Sequence, residues 1–232
     1  MQSVVPSPRD TSLRILPVRG DCILVELADL GEALALFDAL RNQPVGGIRE
    51  IIPAARTLLV AFDPFTISHD ALVDAVSALA GGERKAASGA LIEIPVRYDG
   101  EDLAEVAAML CMSADEIVRL HGESDYVAAF TGFAPGFAYL SGGDPRLHVP
   151  RRKSPRTQVP AGAVGLAGEF SGIYPKTSPG GWQLIGTTPL AMFDIDRQPA
   201  ALLQPGSRIK FRNMAAEPAY EIKQSAKTAP KL

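Results

Sequence analysis

The feature that most constrains this fold is the concentration of glycine and proline in one segment, residues 131–189. This quarter of the 232-residue chain holds 11 of its 21 glycines and 8 of its 19 prolines. Both residues interrupt helices and mark turns, and the apolar runs between them are short, as in VGLAG and WQLIG. Short strands bounded by turns every eight to twelve residues or so are typical of a sandwich or barrel. We therefore predict a many-stranded β-structure here.

The residues before this segment alternate between strand and helix patterns. Apolar side chains recur with the helical period from Leu30, and Ser68 is placed to cap a second helix that two glycines close. After a leader, the predicted elements are a strand at 21–27, a helix at 30–40, a hairpin of strands at 47–53 and 56–62, a helix at 68–79 and a strand at 91–98. If the last of these strands returns to the same sheet, the order is βαββαβ, the ferredoxin-like arrangement; the alternative is that it belongs to the domain that follows.

The best candidate for a domain boundary is the small, polar stretch GGERKAASG at residues 81–89. We place the boundary at residue 88, which predicts an N-terminal α+β domain (1–88) and a C-terminal domain (89–232). The polar residues 216–232 are expected to fray. Outside the glycine-rich segment, the second domain is predicted to contain helices at 102–110 and 113–120 and a strand at 208–212.

Charge is distributed as unevenly as glycine. Residues 131–189 carry a net charge of +4, whereas the whole chain carries −3. A basic segment on an acidic protein indicates an anionic small molecule and argues against nucleic acid, which needs a wider basic surface. The alternative is a group of loops whose cations serve only solubility.

The chain also lacks signals for export, membranes and metals. No apolar run approaches the ~18 residues of a membrane span, and the N-terminus lacks the pattern of a signal peptide. Cys22 and Cys111 have no metal-binding or redox spacing. We expect a cytoplasmic protein that binds no membrane and holds no metal of its own.

His121 and Asp125 lie close in sequence at the end of the predicted helix 113–120. A carboxylate beside an imidazole can orient it as a proton carrier near neutral pH. We therefore predict His121 as the catalytic acid–base and Asp125 as the group that orients it. The alternative is a helix-end histidine whose charge interacts with the helix dipole.

The block GFAPGFAYL, residues 132–140, sets aromatic side chains between glycines and a proline. Glycine lets the backbone approach a ligand closely, and aromatic faces can form a wall beside it. We predict Phe133 and Tyr139 as wall residues and Gly136 as a position of close approach. A packed corner of a barrel would show the same pattern.

Two further blocks place cations among prolines and glycines: PRRKSPRTQVPAG at 150–162 and YPKTSPGGW at 174–182. Prolines limit the entropy that cations lose when they bind phosphate or carboxylate, and neighbouring glycine N–H groups can form an anion nest. A solvated charged loop and a long hairpin are the alternatives. The predicted anion-binding residues are Lys153, Arg156, Lys176, Gly180 and Gly181, and the only tryptophan, Trp182, is a further wall residue.

These motifs are long and ordered enough to indicate a family. The blocks GFAPGFAYLSGGDPRL, VPRRKSPRTQVPAGAVGLAG and SGIYPKTSPGGWQLIGTTPLAMFD, with RLHGESDYV upstream, resemble the KipI family, that is, the B subunits of 5-oxoprolinase, also called allophanate hydrolase subunit 1. The resemblance extends over residues 12–212. It implies an N-terminal α+β domain and a C-terminal cyclophilin-like β-barrel. It also implies two partner chains of 5-oxoprolinase, the C subunit in direct complex and the A subunit.

The activity that this resemblance implies is ATP-dependent opening of 5-oxoproline (pyroglutamate) to glutamate. ATP would phosphorylate the lactam oxygen before water attacks, with Mg²⁺ carried by the nucleotide, and cations would hold the phosphates. We assign this task to Lys153, Arg156 and Lys176, and we place the lactam ring among the aromatic wall residues. Because no nucleotide loop is present, we expect a partner chain to complete the site.

Two other functions within the family stay open. Some relatives form the carboxyltransferase part of a biotin-dependent urea carboxylase, and since this chain has no Met-Lys-Met triplet for biotin attachment, that function requires a biotin carrier on another chain. One relative inhibits a histidine kinase without catalysis, which would make a kinase the partner.

Overall fold

A computed structural model describes residues 13–82 and 89–215. These described residues divide into two compact units, one formed by residues 13–82 with Ala129–Thr131 and the other by residues 89–128 and 132–215. The boundary predicted at residue 88 and the tail at 216–232 lie outside the described residues, so both stay predictions.

The first unit is a four-stranded antiparallel sheet with two helices. The sheet order is β1-β2-β4-β3, so β4 lies between β2 and β3, which run parallel to each other and are joined through α1. This is the split βαβ unit of a ferredoxin-like fold, and it confirms the predicted α+β class. The elements are β1 (Arg14–Arg19), β2 (Cys22–Glu26), α1 (Leu30–Asn42), β3 (Ile48–Pro53), β4 (Thr57–Phe62) and α2 (His69–Leu79).

Both helices of this unit begin at residues that satisfy free backbone N–H groups. The Asp29 carboxylate accepts the N–H of Glu32 at 2.9 Å, and the Glu32 carboxylate accepts the N–H of Ala28 at 2.9 Å. The Ser68 hydroxyl accepts the N–H of Ala71 at 3.3 Å, as its position in the sequence predicted.

The last strand of the predicted βαββαβ order belongs to the second unit, which is the alternative that the sequence left open. The strand predicted at 91–98 is found at Leu91–Val96, but it pairs in parallel with Arg208–Asn213 of the second unit. The edge beside β2 is instead occupied by Arg14–Arg19, which falls in the predicted leader. The segment RILPVR has no clear strand signal because it mixes two arginines and a proline with its apolar residues.

The second unit contains two helices and a seven-stranded sheet of order β12-β9-β10-β7-β6-β13-β5. The short strands β8 and β11 form a separate pair. The elements are β5 (Leu91–Val96), α3 (Leu103–Leu110), α4 (Ala114–Glu123), β6 (Tyr126–Thr131), β7 (Ala138–Ser141), β8 (Arg156–Val159), β9 (Ala163–Ala167), β10 (Phe170–Ile173), β11 (Ser178–Gly180), β12 (Gln183–Thr187) and β13 (Arg208–Asn213).

This sheet is nearly closed into a barrel. Immediately beyond β5, the N–H of Arg97 donates to the carbonyl of Thr187, and the N–H of Thr187 donates to the carbonyl of Arg97, both at 2.8 Å. The two edge strands, β5 and β12, therefore meet. The barrel that the glycine and proline pattern predicted is confirmed.

The meeting of the two edges depends on a residue without a side chain. A Cβ at Gly186 would lie 2.6 Å from the carbonyl oxygen of Arg97 and 2.8 Å from a methyl group of Val96. The register of β12 against β9 also shifts between Leu184 and Gly186, as at a bulge. Any side chain at this position would force the two strands apart.

Apolar residues from every side of the barrel, including Ile94, Val164, Ile185 and Phe211, fill one buried cluster. Helices α3 and α4 lie against β12 and β13 respectively. None of the helices in the described ranges has the length and apolar character needed to span a membrane.

His121 packs against this cluster and is fully buried. Its Nδ1 is 2.8 Å from the Tyr98 hydroxyl, its Nε2 is 2.9 Å from Ser171 Oγ, and its ring stacks on Phe211 with a centroid distance of 4.2 Å. Because burial raises the pKa of Tyr98, the phenol keeps its proton and donates to Nδ1. The Nε2 N–H then donates to Ser171, whose hydroxyl donates to the carbonyl of Gly165. In this series of hydrogen bonds from Tyr98 to Gly165, every donor has an acceptor when the His121 imidazole is neutral.

Burial lowers the pKa of His121 to about 3. Because the unfolded chain binds a proton at this residue below pH 6.5 and the folded chain does not, His121 makes folding less favourable as the pH falls. Its effect on the free energy of unfolding reaches about 1.4 kcal/mol per pH unit between pH 6 and pH 4. The His121→Gln variant should therefore lose stability less steeply on acidification than the unmodified protein.

Urea denaturation at several pH values between 4 and 7 measures this difference. If the two curves differ only by a constant offset over the whole range, the offset reflects the packing change and His121 takes up its proton equally in the folded and unfolded chain. That result would contradict the prediction.

Candidate functional site

The second unit contains a pocket of about 270 Å³ whose walls are mostly aromatic. It lies where the turn before β7, the loop before β8 and the strand β11 come together. Its lining residues are Phe133, Phe137, Tyr139, Arg151, Pro155, Tyr174, Pro179, Gly180, Gly181 and Trp182. A concave, largely apolar site with few polar groups is the usual form of a small-molecule site.

Phe137 is the centre of the aromatic wall. Its ring meets four others edge to face, with centroid distances of 5.3 Å to Phe133, 5.1 Å to Tyr139, 5.6 Å to Tyr174 and 5.3 Å to Trp182. Edge-to-face pairs are favourable beyond their buried area, so the rings hold one another in place. The pocket wall is therefore rigid before any ligand arrives.

Phe133 is the exception in this wall, because its side chain is 59% exposed and its backbone has φ of 66°. A bulky residue in the left-handed region is strained by about 1 to 3 kcal/mol. Two backbone hydrogen bonds hold the turn. The N–H of Ala134 donates to the carbonyl of Gly132, and the N–H of Phe137 donates to the carbonyl of Ala134. This turn keeps an aromatic ring open to solvent at the pocket mouth.

The glycines predicted at the site have different roles. A Cβ on Gly180 would lie 2.2 Å from the Tyr174 hydroxyl, so the pocket wall needs glycine there. Gly181 also lines the pocket, but its nearest neighbour to such a Cβ is 3.8 Å away. Gly136 does not line the pocket; it has φ of +85° and a Cβ there would clash with Phe193.

The cation at the pocket is not one that we predicted. Among the lining residues the positively charged side chain is Arg151, whereas Lys153 and Lys176 are exposed and do not line the pocket. The Arg156 guanidinium is bound by Asp102 at 2.6 Å and by Glu101 at 2.8 Å. Arg156 is thus already paired with two carboxylates, and its assignment to a phosphate stays a prediction.

Electrostatics near the pocket favour a neutral phenol beside Arg151. Burial raises the pKa of Tyr174, an effect that the backbone N–H of Trp182 and the charge of Arg151 partly offset. Tyr174 therefore stays protonated at neutral pH, and Arg151 supplies the positive charge of the lining.

The expected pair of His121 and Asp125 is not formed. Both ring nitrogens of His121 are occupied by Tyr98 and Ser171, and Asp125 contacts Lys210 Nζ at 3.1 Å with its carboxylate 82% exposed. The chain leaves α4 in an extended conformation at Ser124, which carries Asp125 away from the imidazole. A buried neutral imidazole also has no charge with which to interact with the helix dipole. The catalytic role of His121 stays a prediction, without Asp125 as the group that orients it.

The structure thus brings together Phe133, Tyr139, Trp182, Gly180 and Gly181 from the predicted set. It adds Arg151, Phe137 and Tyr174, which lie inside the three blocks singled out in the sequence but were not assigned there. Within the two described ranges, no group of three or more His, Cys, Asp or Glu side chains is arranged to hold a metal ion.

Comparisons with known proteins agree with this architecture. A family model described as carboxyltransferase domain, subdomain C and D, matches residues 13–203. The B subunit of 5-oxoprolinase from Escherichia coli O157:H7 is 42% identical over 191 residues, which cover 81% of this chain and 87% of that protein. The corresponding protein of Bacillus subtilis is 37% identical over 204 residues, covering 81% of this chain and 84% of that protein.

The solved structure of the urea amidolyase of Kluyveromyces lactis shares the fold, with a TM-score of 0.67 at 19% identity over 91% of this chain and 15% of that chain. The family resemblance of the sequence motifs is confirmed. The chain therefore belongs to the carboxyltransferase-domain family of subdomains C and D, in which its similar relatives include the B subunits of 5-oxoprolinases.

Proposed function

We propose that this chain is one component of an ATP-dependent 5-oxoprolinase that opens 5-oxoproline to glutamate, and that it works together with the A and C subunits of that enzyme. The observation that carries the proposal is the aromatic pocket with Arg151 in its lining. The B subunits to which the chain is 37–42% identical add support.

5-Oxoproline has the features that this pocket would recognise. It is a small, nearly flat five-membered lactam with a single carboxylate. The aromatic wall offers faces against which the ring can pack, and the Arg151 guanidinium can bind the carboxylate through two parallel hydrogen bonds. A rigid wall lowers the entropy that such a ligand would lose on binding.

The chemistry requires activation because a lactam carbonyl is a poor electrophile. Transfer of the γ-phosphoryl group of ATP to the lactam oxygen creates a leaving group, and water then adds to the same carbon. The C–N bond breaks and the nitrogen takes a proton to become the amine, which leaves an acyl phosphate of glutamate. A second water then hydrolyses this acyl phosphate to the carboxylate of glutamate and free phosphate. The protein's task is to position the reactants and to stabilise the negative charge.

A triphosphate needs more positive charge than this pocket contains. Arg151 is the cation of the lining, and Arg156 is already paired with two carboxylates. In our proposal the exposed Lys153 and Lys176 contact the phosphates from outside the pocket, Mg²⁺ comes with the nucleotide, and the partner chains complete the nucleotide site.

A second candidate is the carboxyltransferase half-site of a urea-carboxylating enzyme. It is favoured by the family description and by the fold shared with urea amidolyase. The same pocket would then bind an amide and carboxybiotin from another chain. The two candidates differ in the compound that stimulates turnover.

Turnover of the complex with the partner chains distinguishes them. We expect 5-oxoproline to stimulate ATP hydrolysis and release glutamate, and we expect urea to have no effect. The measurement is ADP and glutamate formation with each compound, with the complex lacking this chain as control. Stimulation by urea alone, with a biotin carrier present, would favour the second candidate.

Replacing Arg151 with Met should weaken the complex's use of 5-oxoproline. The loss of a charge-assisted bidentate contact costs about 1.5 to 3 kcal/mol, which corresponds to a rise in KM of about tenfold to a hundredfold. Arg208, an exposed arginine at the start of β13, provides the matched control as Arg208→Met. A KM for 5-oxoproline in Arg151→Met within twofold of the control would exclude the carboxylate contact.

Lys153→Met and Lys176→Met test the phosphate contacts separately. If either lysine binds phosphate, its loss should reduce 5-oxoproline-dependent ATP hydrolysis by at least about tenfold, or ~1.4 kcal/mol. The effect should appear in the KM for ATP or in kcat, while the KM for 5-oxoproline stays unchanged. A smaller loss removes that lysine from the assignment.

A further inference from the structure

Asp102 is a buried carboxylate that the proposed function does not use. It immediately precedes α3 and is only 2% exposed. Its Oδ1 accepts hydrogen bonds from Arg152 Nη1 and Arg156 Nη2, both at 2.6 Å, and its Oδ2 accepts the backbone N–H of Leu184 at 2.7 Å. A buried acid with three charged or backbone donors is fully committed to them.

Each of these three partners is close in sequence to the pocket wall. Arg152 follows Arg151, and Arg156 follows Pro155, while Leu184 is two residues beyond Trp182. The backbone adds to these links, because the N–H of Arg152 donates to the carbonyl of Gly181 at 2.8 Å. Asp102 thereby fixes three separate parts of the pocket wall to one point.

The negative charge of Asp102 is needed to balance the two guanidinium groups that it binds. Two guanidinium groups converge on a single carboxylate oxygen, and the other acids near them, Glu101 and Glu105, are more than half exposed. Without the charge of Asp102 the two arginines would repel each other in a partly buried place. The loop that carries all three arginines would then shift, and Arg151 would shift with it relative to the pocket.

We propose that Asp102 is a positioning residue for the substrate pocket, which acts through Arg152 and Arg156 to hold Arg151 and Trp182 in place. A displacement of about 1 Å in a binding group is enough to cost a large factor in activity. The part of the inference that concerns 5-oxoproline rests on the proposed function, whereas the positioning of the wall does not.

The ligand-independent test uses Trp182, the only tryptophan of the chain. In the full chain it is 5% exposed, and acrylamide should quench its fluorescence weakly. In Asp102→Asn, which keeps the shape of the side chain but not its charge, the quenching constant should rise at least about twofold. Glu105→Gln removes an exposed acid that contacts the same arginine at 3.3 Å and should behave like the unmodified chain.

The second measurement uses the complex with its partner chains. Asp102→Asn should raise the KM for 5-oxoproline at least about tenfold and the KM for ATP by a smaller factor. Arg151 and Trp182 both belong to the displaced wall, whereas of the two proposed phosphate contacts only Lys153 lies on its loop. A variant that is only less stable overall would change the KM for 5-oxoproline and the KM for ATP by similar factors. Equal quenching and equal KM values in Asp102→Asn and Glu105→Gln would overturn the inference.

A third variant covers the case in which Asp102→Asn does not fold. Arg152→Gln removes one of the three links from a side chain that is 29% exposed, so the fold should tolerate it. It should raise the quenching constant and the KM for 5-oxoproline by about threefold, and wild-type values for both would overturn the inference. If 5-oxoproline stimulates no turnover in the unmodified complex, the proposed function fails, and the quenching result still decides the positioning role.

Discussion

The second unit depends on the closure of its sheet between β5 and β12. The paired hydrogen bonds of Arg97 and Thr187 join the two edges, and Gly186 leaves room for them to meet. Closure removes exposed edges from the sheet and encloses an apolar cluster on which α3 and α4 pack. The start of α3 is consequently fixed against β12, because the backbone N–H of Asp102 donates to the carbonyl of Leu184 at 2.9 Å. The pocket lies on this framework.

Two kinds of interaction shape the pocket, and each does a different task. Edge-to-face contacts around Phe137 determine where the aromatic rings lie. Ionic contacts around Asp102 hold the loop that carries Arg151. A ligand with a flat apolar ring and one negative charge matches this combination, since the first set of contacts presents faces and the second presents a cation. Highly charged ligands match it less well.

The sequence was a good guide to strands, helix caps and aromatic residues, because these depend on local patterns. Ser68 begins a helix as expected, and Phe133, Tyr139 and Trp182 line one pocket. Which arginine faces the pocket was not predictable from local patterns. Four cations share the loop at 150–156. Arg152 and Arg156 are bound by Asp102, about 50 residues earlier, and Arg151 lines the pocket. Proximity in sequence was likewise misleading for His121 and Asp125, which the end of α4 separates.

The parallel pairing of β5 with β13 has a consequence for how the protein is made. Leu91 pairs with Arg208, so β5, the first strand of the barrel, has no pairing partner during synthesis until more than a hundred further residues have been added. The first unit has no such delay, since its last strand ends at Phe62 and its second helix at Leu79. The ferredoxin-like sheet can therefore form early, while the apolar strand β5 stays without its partner until β13 is synthesised late in translation. During that interval the nascent chain is most exposed to aggregation and most dependent on chaperones.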